Sequence, residues 1–268
     1  MTLRRLHLIE LMDLPFWPRS WRRFMTDYLS FVSDRADLFS CAVPLLTEAL
    51  EQTGDRKIVD LCSGSGGPWG SVAGPLFETT RLETIELTDL HPRTATGLKA
   101  AQLRGFSGHC APQRRLEVAG LRLRQGRAPL HPLSRANLRH FQTGRRSSGE
   151  TGAAFGDRIR PVDESIDALH VPATRKGFRT IWNGFHHFAP SDATRMLADA
   201  VESGEGIAVF EIVERRIAPI VALLLLAPWI VLAVTPLLRP VSLSRFFWTY
   251  VIPVVPAAVA FESFVSLV

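Results

Sequence analysis

Ile58-Val59-Asp60-Leu61-Cys62-Ser63-Gly64-Ser65-Gly66-Gly67-Pro68 is the most informative stretch of the chain. An apolar run long enough for one buried strand meets a loop of small residues, and a proline then suits the first turn of a helix. Glycine at 64 and 66 lets the backbone approach a ligand with no Cβ in the way. A helix start facing such a loop favours an anionic group, such as the carboxylate of an amino acid. Asp60 is positioned to take the amino group of the same ligand, directly or through water.

Working outward, Leu82–Leu90 reads as the next strand and closes on Asp89, an acid able to accept both ribose hydroxyls of an adenosine. Arg158–Val162, Phe178–Asn183 and Gly206–Val213 read as three more strands, and Ser191–Val201 reads as a helix with Ser191 at its N-cap. Alternating strands and helices predict a parallel α/β sheet with right-handed crossovers. Dinucleotide binding fits poorly. The third glycine of that fingerprint is replaced by Trp69, and Asp89 lies further on than the usual acid.

The flanks differ from this core. Residues 1–54 carry Trp21, Phe24, Met25, Tyr28, Leu29 and Val32 at helical spacing, with Ser20 as N-cap, and a second helix is expected over 38–52. This is expected to be a helical cap, packed on the core or closing over substrate. The α/β domain spans 55–214. Within it, 103–156 is rich in arginine, glycine and serine, and is expected to be a disordered or acquired insert. Between Arg104 and Glu150, ten arginines against two acids make +8, leaving −3 of the chain's net +5. The basic balance therefore belongs to the insert. With no recognition motif or interleaved aromatics, no nucleic-acid partner is expected. The three cysteines make no CxxC pair and fit a reducing compartment. Residues 1–13 do not read as a signal peptide.

The tail, 215–268, is apolar. Ile217 to Leu238 holds no charge, a length that by itself could cross a bilayer, and Phe246 to Val268 is apolar apart from Glu262. Prolines interrupt both runs. A membrane-associated hydrophobic helical hairpin, dipped into one leaflet, is preferred here over two full spans. A hairpin buried on the domain or in a dimer interface is the alternative. The chain is expected in the cytoplasm or on the cytoplasmic face of a membrane.

The Asp60-to-Pro68 loop, with Asp89, resembles motif I and the ribose-binding acid of class I S-adenosylmethionine (SAM) dependent methyltransferases. It is most similar to uncharacterised bacterial methyltransferase-like proteins with an apolar tail. The similarity covers about 50–95 and 157–214. It implies a Rossmann-like sheet, and SAM held by Asp60, Cys62, Gly64 and Gly66, with Asp89 and Leu90 at the ribose. Asp163 would lie at the adenine and Asn183 at the start of the active-site loop. Cys62 stands where the superfamily has its first glycine, and no strand is read after Val213 where the superfamily adds two. His186 and His187 are the candidate general bases, and their spacing suggests no third metal ligand. The function implied is methyl transfer to a small-molecule or lipid acceptor. The alternatives are a non-catalytic SAM- or nucleotide-binding module and a membrane-anchored interaction protein.

Overall fold

The computed structural model describes residues 10–64, 66–92, 117–121, 157–212 and 217–265. Most of the 103–156 insert lies outside them. The chain divides into two units, one of residues 33–212 and one of 1–32 with 213–268.

The larger unit is a mixed α/β fold. Its strands are β1 (Lys57–Leu61), β2 (Thr84–Asp89), β3 (Glu117–Leu121), β4 (Ile159–Ser165), β5 (Phe178–Trp182) and β6 (Ile207–Glu211), laid in the order β4-β2-β1-β5-β6-β3. The five strands from β4 to β6 run parallel, with Ile58 opposite Ile85 on one side and Phe178 on the other. Glu117–Leu121, inside the insert, closes one edge antiparallel to β6.

Central strands of a parallel sheet are covered on both faces, so their sequences are apolar nearly throughout. Ile58 faces one way with Phe178 and Phe210, packed under α2 (Val43–Thr53) and α3 (Trp69–Thr79) through Leu46, Leu50, Val72 and Leu76. Val59 and Leu61 face the other way with Ile181 and Val209, under Met196 and Ala200 of α4 (Pro190–Glu202). The alternation follows from the two-residue period of a strand. Trp182 stacks on Phe210 at 4.1 Å and meets Trp69 edge-on at 5.5 Å.

Several boundaries differ from the sequence expectation for local reasons. Ser191 does not cap α4. The helix starts at Pro190, whose fixed φ suits the first position, and Ala189 precedes it in extended backbone. The helix expected over 38–52 begins as a 3-10 turn, Ser40–Ala42, and becomes α2 near Pro44. It ends at Gly54, whose φ of +75° lets its N–H reach the Leu50 carbonyl. Strand β4 runs three residues beyond Val162.

The smaller unit holds α1 (Arg19–Arg35, of which 19–32 belong here), α5 (Ile217–Val234), a short α6 (Leu243–Phe246) continued by a π turn to Val251, and α7 (Val254–Val265). Ser20 lies in the first turn of α1 and not at its cap, because the Pro18 carbonyl already accepts from Trp21 and Arg22. Phe24 and Tyr28 of α1 pack with Val231, Leu238 and Val255 of the tail. No single helix among the described residues is long and apolar enough to cross a membrane.

Candidate functional site

Strand order reverses at β1. From there β2 and β4 lie to one side, and β5 and β6 to the other. In open parallel sheets the crevice beyond the carboxyl ends at such a point is where ligands bind. Two loops emerge there, one after β1 with described residues 62–64 and 66–68, and one after β5 over 183–188. They touch, since a Cβ on Gly184 would stand 3.4 Å from Cys62 Cβ.

The first loop is bent by left-handed backbone. Cys62 has φ +57°, Gly64 +52°, Gly66 +108° and Gly67 +58°. Cys62 thus adopts a conformation that glycine takes at no steric cost and other residues hold at about 1 kcal/mol. Asn183, at the end of β5, has φ +50°, tolerable for its short polar side chain. Its Oδ1 accepts from Ile212 N–H at 3.4 Å. Strained residues at the ends of two paired strands mark the place where the fold spends stability on geometry.

Hydrogen bonds hold the bend. Gly66 and Gly67 N–H both reach the Ser63 carbonyl, at 2.7 and 3.0 Å, and Ser63 N–H reaches the Thr88 carbonyl at 2.9 Å. Asp89 Oδ2 accepts from Gly64 N–H at 2.8 Å and Oδ1 from His91 N–H at 2.7 Å. Each of these oxygens accepts one hydrogen bond among the described residues, and a carboxylate oxygen can accept two. Leu90, the next residue, is 55% exposed.

Asp60 is placed differently from the sequence expectation. It is fully buried, with Oδ1 accepting from Thr180 Oγ1 at 2.7 Å and Oδ2 from Trp69 Nε1 at 2.9 Å. Its backbone carbonyl takes Ser63 Oγ and Thr88 Oγ1. Both carboxyl oxygens are thus engaged by side chains of the fold. Burial pushes it up to about 7 from the usual carboxylate range, although the hydrogen bonds from Thr180, Trp69 and Ser63 pull it down. Gly67, not among the expected glycines, is fitted to the same group, since a Cβ there would stand 3.3 Å from Asp60 Oδ2.

Asp163 lies within β4, exposed, two residues before the strand's end. The acid that follows the end is Asp167, which accepts from Leu169 N–H at 2.9 Å and pairs with His170. Its loop is tied to the site by Ile166 N–H on the Asp89 carbonyl and by Ser165 Oγ on the Leu90 carbonyl.

In the second loop, Glu211 at the end of β6 binds the turn that carries the histidines. Its Oε1 accepts from Phe185 N–H and its Oε2 pairs with His186 Nδ1, both at 2.7 Å. His186 is thereby fixed with Nε2 directed away from the carboxylate, and its side chain is 8% exposed. His187 stacks on it at 4.5 Å. The pairing of His186 with Glu211 spans 25 residues and has no local sequence signal.

In comparisons with known proteins, the sequence matches no family model and no curated protein.

Proposed function

We propose that the chain is a SAM-dependent methyltransferase acting on a small-molecule or lipid acceptor. The observation that carries this is the left-handed loop after β1, laced by Asp89 at the point where strand order reverses. Its glycines leave no Cβ between the backbone and a bound amino-acid moiety, and the start of α3 favours that moiety's carboxylate. The fit to the cofactor is chemical. Unused lone pairs on Asp89 suit paired ribose hydroxyls, exposed Leu90 offers an apolar edge, and Asp167 replaces Asp163 as the acid for an adenine amino group. When bound, SAM supplies a methyl group made electrophilic by its sulfonium.

The protein's own work is then alignment and proton handling. Asp60, Ser63 and Thr88 keep the loop in shape from beneath. Asn183 ties the β5 end to β6. His186, with Nδ1–H donated to Glu211, takes the acceptor proton on Nε2 as the acceptor atom gains the methyl. The apolar helical hairpin expected in the tail favours a lipophilic acceptor and a station on the cytoplasmic face of a membrane.

Isothermal titration of the full chain with SAM, beside Asp89→Ala, tests the proposal. Binding by the parent, weakened ten- to a hundredfold in the variant through loss of charge-assisted hydrogen bonds, is the expected result. No binding by the folded parent overturns it. Binding without turnover on any acceptor favours the non-catalytic SAM-binding alternative.

A further inference from the structure

The smaller unit buries several polar side chains while large apolar ones face outward. Thr235 is fully buried and bonds the Val231 carbonyl at 2.7 Å and Tyr28 Oη at 2.6 Å, and buried Arg245 meets Asp27 at 2.8 Å. Buried Glu262 accepts from Met12 N–H at 2.9 Å, and even the exposed Tyr250 returns its hydroxyl to the Leu232 carbonyl at 2.6 Å. Large apolar side chains are prominent among those that face outward. Leu225, Trp229 and Leu237 on and beyond α5 are 64%, 69% and 56% exposed, and Leu243 and Val251 reach 86% and 67%.

A helix presenting an apolar stripe to water needs a cover, and α5 is apolar all round, with no charge from Ile217 to Leu238. A hydrocarbon medium covers such a surface without requiring a matching shape. Apolar residues face outward on the α5 segment and on the bent segment alike, so the complementary surface is broad and not one groove. Leu243–Val251 and Val254–Val265 meet at 75°, and among the described residues no single helix is long and apolar enough to span. Arg239, exposed beside the turn between the two apolar runs, supplies a charge of the sign that lipid phosphates bind.

We propose that this unit lies in one leaflet of an anionic bilayer, with Leu225, Trp229, Leu243 and Val251 among the acyl chains and Arg239 at the headgroups of that same leaflet. The inference rests on the membrane association proposed above but not on methyl transfer.

The test uses full-length protein, purified in detergent and added to preformed phosphatidylcholine–phosphatidylglycerol vesicles. The parent floats with the vesicles. The double variant Leu225→Glu/Trp229→Glu, whose positions are exposed and therefore tolerant of change, partitions on the order of a hundredfold less. Circular dichroism shows that it is folded. A membrane-impermeant maleimide labels Arg239→Cys, located by peptide mass, before the vesicles are permeabilised. If the folded parent fails to float, membrane association and this inference both fall, and SAM binding is unaffected. A discrete detergent-free oligomer that the double variant disperses makes the surface a protein interface, and also overturns the inference. Flotation with position 239 protected until permeabilisation means that the chain crosses the bilayer, which overturns the one-leaflet arrangement alone.

Discussion

Replacing Asp60 by asparagine isolates one buried titration. In the folded chain the carboxyl titrates near 7, against 3.8 when unconstrained, a displacement of about three pH units caused first by burial. Between those values the folded state holds a proton that the unfolded state has released. Stability therefore falls as pH rises from about 4 to about 7, by up to about 4 kcal/mol at 1.36 kcal/mol per unit. Asparagine keeps the shape. Its Oδ1 accepts from Trp69 Nε1 and its amide donates to Thr180 Oγ1, which can accept as well as donate. The variant has no proton to lose, so its stability minus that of the parent rises by about 4 kcal/mol across that window. Other titrating groups cancel in the difference. Urea unfolding read by pulsed hydrogen exchange on peptides covering β1 and β5 reports the α/β unit alone. Parallel pH profiles for the two proteins would show that Asp60 does not titrate in this window.

Three further outcomes follow from the same geometry. Gly177→Ala places a Cβ 2.7 Å from the Lys57 carbonyl at φ +141°, whereas Gly204→Ala at φ +71° meets nothing within 4 Å. The first should cost about 3 kcal/mol and the second about 1 kcal/mol in denaturant unfolding, and equal costs would contradict the close approach. Asp199→Ala strands the buried Arg179 guanidinium, now 2.5 Å from that carboxylate, and should cost about 3 kcal/mol. Arg179→Met, which removes the charge itself, should be near neutral, and the reverse ranking in melting experiments would discount the desolvation argument. Glu211→Gln should lower kcat for methyl transfer about a hundredfold and alter its pH profile, leaving the KM for SAM unchanged. A change confined to KM would move Glu211 from proton handling to cofactor binding.

The α/β character was legible because the decisive strands are buried on both faces. Ile58, Val59 and Leu61 form an unbroken apolar run apart from Asp60, and the glycine loop follows at once. Edge strands gave weaker signals. Strand β4 carries Arg160, Asp163, Glu164 and Ser165 on exposed positions, so its apolar signal stops at Val162, three residues before the strand does, and Asp163 falls within the strand. Glu117–Leu121 shows no apolar alternation, and its pairing with β6 is antiparallel across nearly ninety residues, beyond any local reading. The expected cap divides for a similar reason. The apolar stripe of α1 declares that a face is buried, but not whether sheet or tail covers it, and Phe24 and Tyr28 meet the tail.

The same gap between residue type and environment separates the two acids of the site. By sequence, Asp60 and Asp89 are alike, each closing a strand and each a candidate for touching the cofactor. In the fold, Asp60 is wholly buried with its oxygens engaged by Trp69 and Thr180, whereas Asp89 is half-buried and accepts from Gly64 N–H. If SAM binds as proposed, Asp60 acts on it through the shape of the loop and Asp89 by contact. Substitutions at Asp60 should therefore move stability and SAM affinity together, in a ratio set by how far the loop relaxes. Substitutions at Asp89, whose oxygens serve two backbone N–H groups at the surface of the crevice, should move affinity with little change in stability. A SAM titration and an unfolding curve on each variant separate contact from positioning. Coupled losses at Asp89 of the size seen at Asp60 would show that both acids are structural.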